Sequence, residues 1–140
     1  MKKRVVLVGA GHAHLHLLKN VGSLIRLGAE VTTVAPDDFW YSGMATAMLA
    51  GLVSPPEDHI DVARLLAGTG AALCRGTMIG LDKDARDVLL DDGRRLAFDL
   101  LSLNLGSRPP PLPAQGEIVY SVKPVRSLVD LLRRIEQAWQ

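Results

Sequence analysis

Four apolar residues, Val5-Val6-Leu7-Val8, stand together near the start of the chain with no polar residue between them. A strand without alternation is buried on both faces, as in a parallel sheet. Gly9-Ala10-Gly11 interrupts the run. From residue 12 to 27 the apolar positions are Leu15, Leu18, Val21, Leu24, Ile25 and Leu27, mostly three or four apart. That spacing predicts one helix, with Gly28 just past its end. Residues 30–35 predict a second, β-branched strand that Pro36 stops. Strand, turn, helix and strand in this order predict a right-handed crossover between parallel strands.

The next segment, 36–58, is a long connection with a short helix expected near 45–52. A further helix is expected over 59–67, with Asp58 as its N-cap. Residues 71–74 predict a short third strand. The period then changes to that of an antiparallel meander over 77–81, 87–90 and 94–98, with Asp92-Gly93 as a tight turn. Residues 99–105 form another apolar strand ended by Gly106, and 109–113 is a stiff proline stretch. Residues 125–139 predict an amphipathic helix with Leu128, Val129, Leu131, Leu132, Ile135 and Trp139 on one side. Together these elements predict an α/β domain: a parallel Rossmann-like sheet with helices on one face and the meander on the other.

Composition narrows the function classes. A chain of 140 residues fits one domain, and 48% hydrophobic residues can build a core. A net charge of +1 and 4% aromatic residues argue against nucleic acid as a partner. Cys74 is the single cysteine, so no internal disulfide forms and nothing points to an oxidising compartment. The apolar run after Met1-Lys2-Lys3-Arg4 is too short for a secretory signal. No stretch approaches the ~20 apolar residues of a membrane span. The expectation is a soluble cytoplasmic protein.

The most informative segment is the glycine turn. A strand that runs through a glycine turn into a helix offers backbone N–H groups and a positive helix end to a pyrophosphate. Gly9 would allow the tight turn, and Gly11 would let the phosphates approach. The third glycine of the G-x-G-x-x-G pattern is His14 here. Either the helix sits slightly differently on its strand, or His14 points into the cofactor site. An acidic residue normally ends the second strand and binds the ribose. Ala35-Pro36 stands there instead, so ribose recognition moves to Asp37 or to backbone, or Asp37 and Asp38 only cap the loop.

With these residues in view, the chain resembles a known group. The segments V-V-L-V-G-A-G-H-A-H-L-H-L-L, V-A-P-x-x-x-W-Y-S-G-M and D-D-G-R-R-L-A-F-D-L-L-S-L-N-L-G-S-R-P look like FAD-dependent pyridine nucleotide oxidoreductases of the pyridine nucleotide-disulfide superfamily. The branch nearest in pattern is the type II NADH dehydrogenase-like proteins, some of them fused to selenide, water dikinase. The resemblance implies a three-layer FAD/NAD(P)-binding fold, here truncated. FAD would lie over Gly9, Gly11, His12, Ala13 and His14, with its adenosine near Pro36 and Asp37. Backbone at Met78 would flank the adenine, Gly106 and Ser107 would close over the cofactor, and the loop with Ser42 and Met44 would run towards the isoalloxazine. Residues 1–122 would be the first part of the FAD domain, and 123–140 a helix leading to an absent NAD(P)H-binding domain. The parent would carry electrons from NAD(P)H through FAD to a quinone or other small acceptor, while this chain alone would be inactive. No catalytic side chain is assigned. The strand 99–105 would be an open sheet edge, free for self-association. The alternative is a nucleotide-binding or interaction module without redox activity, or one that takes NAD(P) in place of FAD.

Other candidates carry blander readings. His12 and His16 share a helix face but lack a completing cluster, so no metal site is expected. Cys74 reads as core, and Arg94-Arg95 and Arg133-Arg134 as solvated surface. Phe39-Trp40-Tyr41 reads as core or interdomain packing, against contact with the flavin edge, a quinone or a membrane.

Overall fold

A computed structural model describes residues 2–107, 110 and 120–138. In chain order the elements are β1 (Lys3–Val8), α1 (His12–Lys19), α2 (Val21–Arg26), β2 (Ala29–Val34), β3 (Phe39–Trp40), α3 (Ala45–Leu49), β4 (His59–Ile60) and α4 (Val62–Leu66). There follow β5 (Ala72–Cys74), β6 (Met78–Asp82), β7 (Asp87–Leu90), β8 (Arg95–Ala97), β9 (Leu100–Leu103) and α5 (Arg126–Ala138). The chain divides into two compact units, one of residues 1–39 and 61–106, the other of 40–60 and 107–140.

The first unit is built on a four-stranded parallel sheet in the order β5-β2-β1-β9. Successive residues of β1 point to opposite faces. Val5 and Leu7 enter one core with Leu18, Val21, Val31, Val62 and Leu66, which is the helical side. Val6 and Val8 enter a second core with Val34, Cys74, Val88 and Leu90, which is the meander side. The unbroken apolar run is therefore a consequence of two cores, one on each face. Leu7 and Leu18 are fully buried, and each such side chain contributes roughly 1.5–3 kcal/mol. The meander β6-β7-β8 turns at Gly93, whose φ of 86° and N–H to Leu90 O (3.0 Å) make the expected tight turn.

Two expected helices differ from the sequence reading. The helix expected over 12–27 breaks at Asn20, whose side chain donates to His16 O at 2.8 Å. A short amide beside its own backbone competes with the helical hydrogen bonds, and this favours an interruption. The helix expected from residue 59 begins only at Val62. Asp61, not Asp58, caps it by accepting from Arg64 N at 2.9 Å, and His59-Ile60 is extended. The last strand stops at Leu103, two residues short of the expected end. The proline stretch, apart from Pro110, and Trp139 lie outside the described residues.

The edge strand β9 is tied to β1 by an ion pair at their starts. The Arg4 guanidinium reaches Asp99 Oδ1 at 3.3 Å, and Arg4 N donates to Asp99 Oδ2 at 2.8 Å. The hydrogen bonds from Arg4 hold the Asp99 carboxyl down at about 2. A depressed carboxyl stabilises the fold above its unfolded pKa, and the stabilisation is lost as pH falls through the folded one. The deficit in unfolding midpoint of Asp99→Asn against wild type is therefore expected to be full at neutral pH, to shrink below about pH 4 and to vanish near pH 2. Urea titrations across that range check it.

In the second unit, β3 pairs with β4, and Trp40 meets His59 at 5.0 Å between ring centres. Its core joins Met48 of α3 to Leu128 and Val129 of α5, with Trp40, Leu131 and Leu132 half-buried around them. Ile135, expected on the apolar side, is 43% exposed. A cleft of about 490 Å³ lies between Trp40, Pro55, Pro56 and His59 on one side and Leu132 and Arg133 on the other. The aromatic cluster thus divides. Phe39 packs on the helical core of the first unit, Trp40 is core of the second, and Tyr41 is 40% exposed.

Asp58 in this unit is 2% exposed, and among the described residues neither carboxylate oxygen has a hydrogen-bond partner. Burial pushes this carboxyl up, against a smaller downward pull from the Tyr41 backbone amide. A raised carboxyl stabilises most below its unfolded pKa, and that stability is lost as pH rises through the folded value. Asp58→Asn is accordingly expected to be more stable than wild type at neutral pH. The gain should fade towards pH 4. Denaturant midpoints at pH 4 and pH 7 measure both parts.

Candidate functional site

Strand order reverses between β1 and β9: β2 and β5 lie on one side of β1, β9 on the other. In open α/β sheets the crevice for ligands opens at such a point, outside the carboxyl ends of the strands. The turn Gly9-Ala10-Gly11 stands there, and α1 begins immediately after it. Gly9 has φ +89°, and its N–H donates to Val34 O at 2.8 Å. A Cβ on Gly9 would sit 2.0 Å from Asn104 O, and one on Gly11 would meet the Asn104 carboxamide at 2.7 Å. Both glycines are therefore needed by the protein's own packing against the segment after β9.

His14, in the place of the third glycine, is 3% exposed. Its Nδ1 donates to Gly9 O at 2.6 Å, and its Nε2 accepts from the Ser102 hydroxyl at 2.9 Å. A carbonyl can only accept, so the Gly9 contact sets the tautomer. Of the two possibilities read from sequence, the side chain does not take the second, since the ring is turned into the protein. It is a buried brace between turn, helix and edge strand, with both ring nitrogens engaged. His12 and Ala13 are exposed at the start of α1, where the first N–H groups have no intrahelical partner. His12 also meets the Phe39 ring edge-on at 5.0 Å.

Asn104 was not singled out by sequence. Its backbone N–H donates to Val8 O at 2.8 Å, which extends the β1–β9 ladder by one residue. With its carboxamide oxygen turned to the helix, the side chain accepts from Ala13 N (3.0 Å) and His14 N (3.3 Å). Its sequence signal was a lone amide between Leu103 and Leu105 in an otherwise apolar strand end.

Pro36 and Asp37 are exposed beyond the end of β2, the strand next to the glycine turn. Asp38 accepts from Arg75 at 2.5 Å and from Val62 N at 3.3 Å, which joins the ends of β2 and β5 to the start of α4. Met78 opens β6 opposite Leu90 and packs half-buried against the meander-side core. Gly106, with φ +72°, follows Asn104 by two residues. Ser42, Met44 and Ser107 belong to the second unit. Ser42–Met44 is a single 3₁₀ turn with exposed side chains, and Ser107 accepts from Lys123 Nζ at 3.1 Å.

Arg94 is exposed, as expected, and it also makes specific contacts. Its guanidinium lies 2.9 Å from Cys74 Sγ and 2.5 Å from Arg75 O, and it pairs with Asp92. Cys74 is core, as expected. Among the described residues no group of three or more His, Cys, Asp or Glu is placed to hold a metal ion. No helix among them is long and apolar enough to cross a membrane.

A parallel sheet with helices on one face, a meander on the other and a glycine turn at the switch point is the FAD/NAD(P)-binding Rossmann-type fold. The likeness to pyridine nucleotide oxidoreductases holds in sequence and in fold. In an alignment 140 positions long that covers 96% of this chain, it is 29% identical to putidaredoxin reductase CamA of Pseudomonas putida, of which the match covers 32%. The water-forming NADH oxidase of Lactobacillus brevis, solved with NADH bound, superposes with a TM-score of 0.82 at 22% identity, over 96% of this chain and 32% of that one. The sulfide:quinone oxidoreductase of Aquifex aeolicus gives 0.80 at 17%, over 98% and 32%. No family model matches. The chain thus spans about a third of the length of the proteins it resembles.

Proposed function

We propose that this chain is the FAD-binding portion of an NAD(P)H-dependent flavoprotein oxidoreductase that passes electrons from NAD(P)H through FAD to a quinone or another small acceptor. The observation that carries the reading is the glycine turn and helix start at the switch point, in a chain similar over 96% of its length to a reductase. The residues fit a diphosphate. The turn has no side chains at Gly9 and Gly11, and the first turn of α1 holds no acidic residue to repel an anion. In this reading the pyrophosphate lies over the turn and the helix start, at Gly9, Gly11, His12, Ala13 and His14. Pro36 and Asp37 face the adenosine ribose, and backbone at Met78 faces the adenine. Gly106 closes over the cofactor. Bound FAD would supply the redox chemistry by accepting a hydride and passing electrons on, while the protein supplies position and electrostatics.

Residues 1–122 would then be the first part of the FAD domain, and 123–140 the link to an NAD(P)H-binding domain. Turnover belongs to the parent protein, which we place in the cytoplasm. Incubation with FAD, desalting and a visible spectrum test the reading. Flavin retained at about one per chain supports it. Binding of ADP without retention of flavin would favour a plain nucleotide module. A chain that binds neither would sink the proposal.

A further inference from the structure

We infer that Asn104 is a ligand-contacting residue of this site, which steadies the start of α1 with its carboxamide oxygen and offers its NH2 group to a diphosphate. The inference rests on the reading of the turn as a nucleotide site and goes beyond it. An N-cap is normally the residue just before the helix, and here that residue is Gly11, which has no side chain to accept. Asn104 does the work from another strand. The register of β9 on β1, Val8 beside Leu103, places it against the turn. Its oxygen accepts from Ala13 N, an amide that a helix start would otherwise leave for an anion, and shares His14 N with Gly11 O, to which that amide donates at 2.9 Å. Its other polar group is a neutral donor held beside Gly11, where a Cβ would already touch the carboxamide. An anion at this turn therefore meets a donor and not a second acceptor. The same position filled by a carboxylate would cap the helix equally well and would repel the ligand.

This difference separates a binding role from a structural one. Asn104→Asp and Asn104→Ala chains are titrated with ADP and with adenosine by calorimetry, and their unfolding midpoints are recorded. For Asn104→Asp the midpoint should equal or exceed that of wild type, because Asp caps as well as Asn and adds favourable charge at a helix start. Its ADP affinity should fall by about tenfold or more, and that of Asn104→Ala by about three- to tenfold, while adenosine is bound as before. Wild type that binds ADP, with both variants binding it equally well, would overturn the role of Asn104 and leave the nucleotide site standing. Loss of adenosine and ADP binding in parallel would make Asn104 structural only. A wild-type chain that binds neither FAD nor ADP would overturn both.

Discussion

Gly9→Ala is expected to cost about 2–6 kcal/mol of stability and to abolish retention of nucleotide. The range combines two effects at one atom. At φ +89° a residue with a side chain is strained by ~1–3 kcal/mol. The new methyl would also stand 2.0 Å from the Asn104 carbonyl oxygen, a backbone atom fixed by its ladder to Val8, and overpacking of this kind costs a further ~1–3 kcal/mol. Relief requires β9 to part from β1, so the damage reaches the sheet edge as well as the turn. Gly11→Ala is the control. Its methyl meets the movable Asn104 carboxamide, so it should cost less stability, and Asn104→Ala in the same chain should restore part of the loss. Denaturant unfolding of the four chains measures this. A Gly9→Ala chain as stable as wild type would show that the turn does not press on Asn104.

Restoring the glycine of the fingerprint with His14→Gly is expected to weaken the protein by about 3–7 kcal/mol. His14 is buried, and its removal orphans the Gly9 carbonyl and the Ser102 hydroxyl together. Each unsatisfied buried group costs roughly 1–3 kcal/mol, and a helical glycine adds about 1 kcal/mol against alanine. His14→Ala should therefore fall short of wild type by somewhat less. The Ser102→Ala/His14→Ala double variant should lose less than the sum of the two singles, because the partners share one bond. Additive losses in thermal or urea unfolding would show that His14 and Ser102 act independently.

How much of this was legible in the chain depends on the range over which each feature is decided. The two-faced β1, the crossover to β2, the meander with its Asp92-Gly93 turn and the amphipathic α5 follow from apolar spacing within short windows, and all formed. Errors fell where two local preferences compete. Asn20 satisfies the His16 carbonyl from outside the helix, and either Asp58 or Asp61 could cap a helix from its own sequence. The burial of Asp58 is invisible to such a window, since it depends on what folds over it.

The sequence by itself determined the layers of the first unit and the position of the glycine turn, because residue period and glycine placement are local properties of the backbone. Only the tertiary structure decided what the turn is made of. His14 and Ser102 are 88 residues apart in the chain. They meet, as Asn104 meets Gly9 and Gly11, because β9 docks beside β1 in one register. The Arg94 contact with Cys74 likewise needs the meander folded back on β5. A side chain's partner is set by strand register, which is fixed by the buried faces of the whole sheet and by no single stretch of residues.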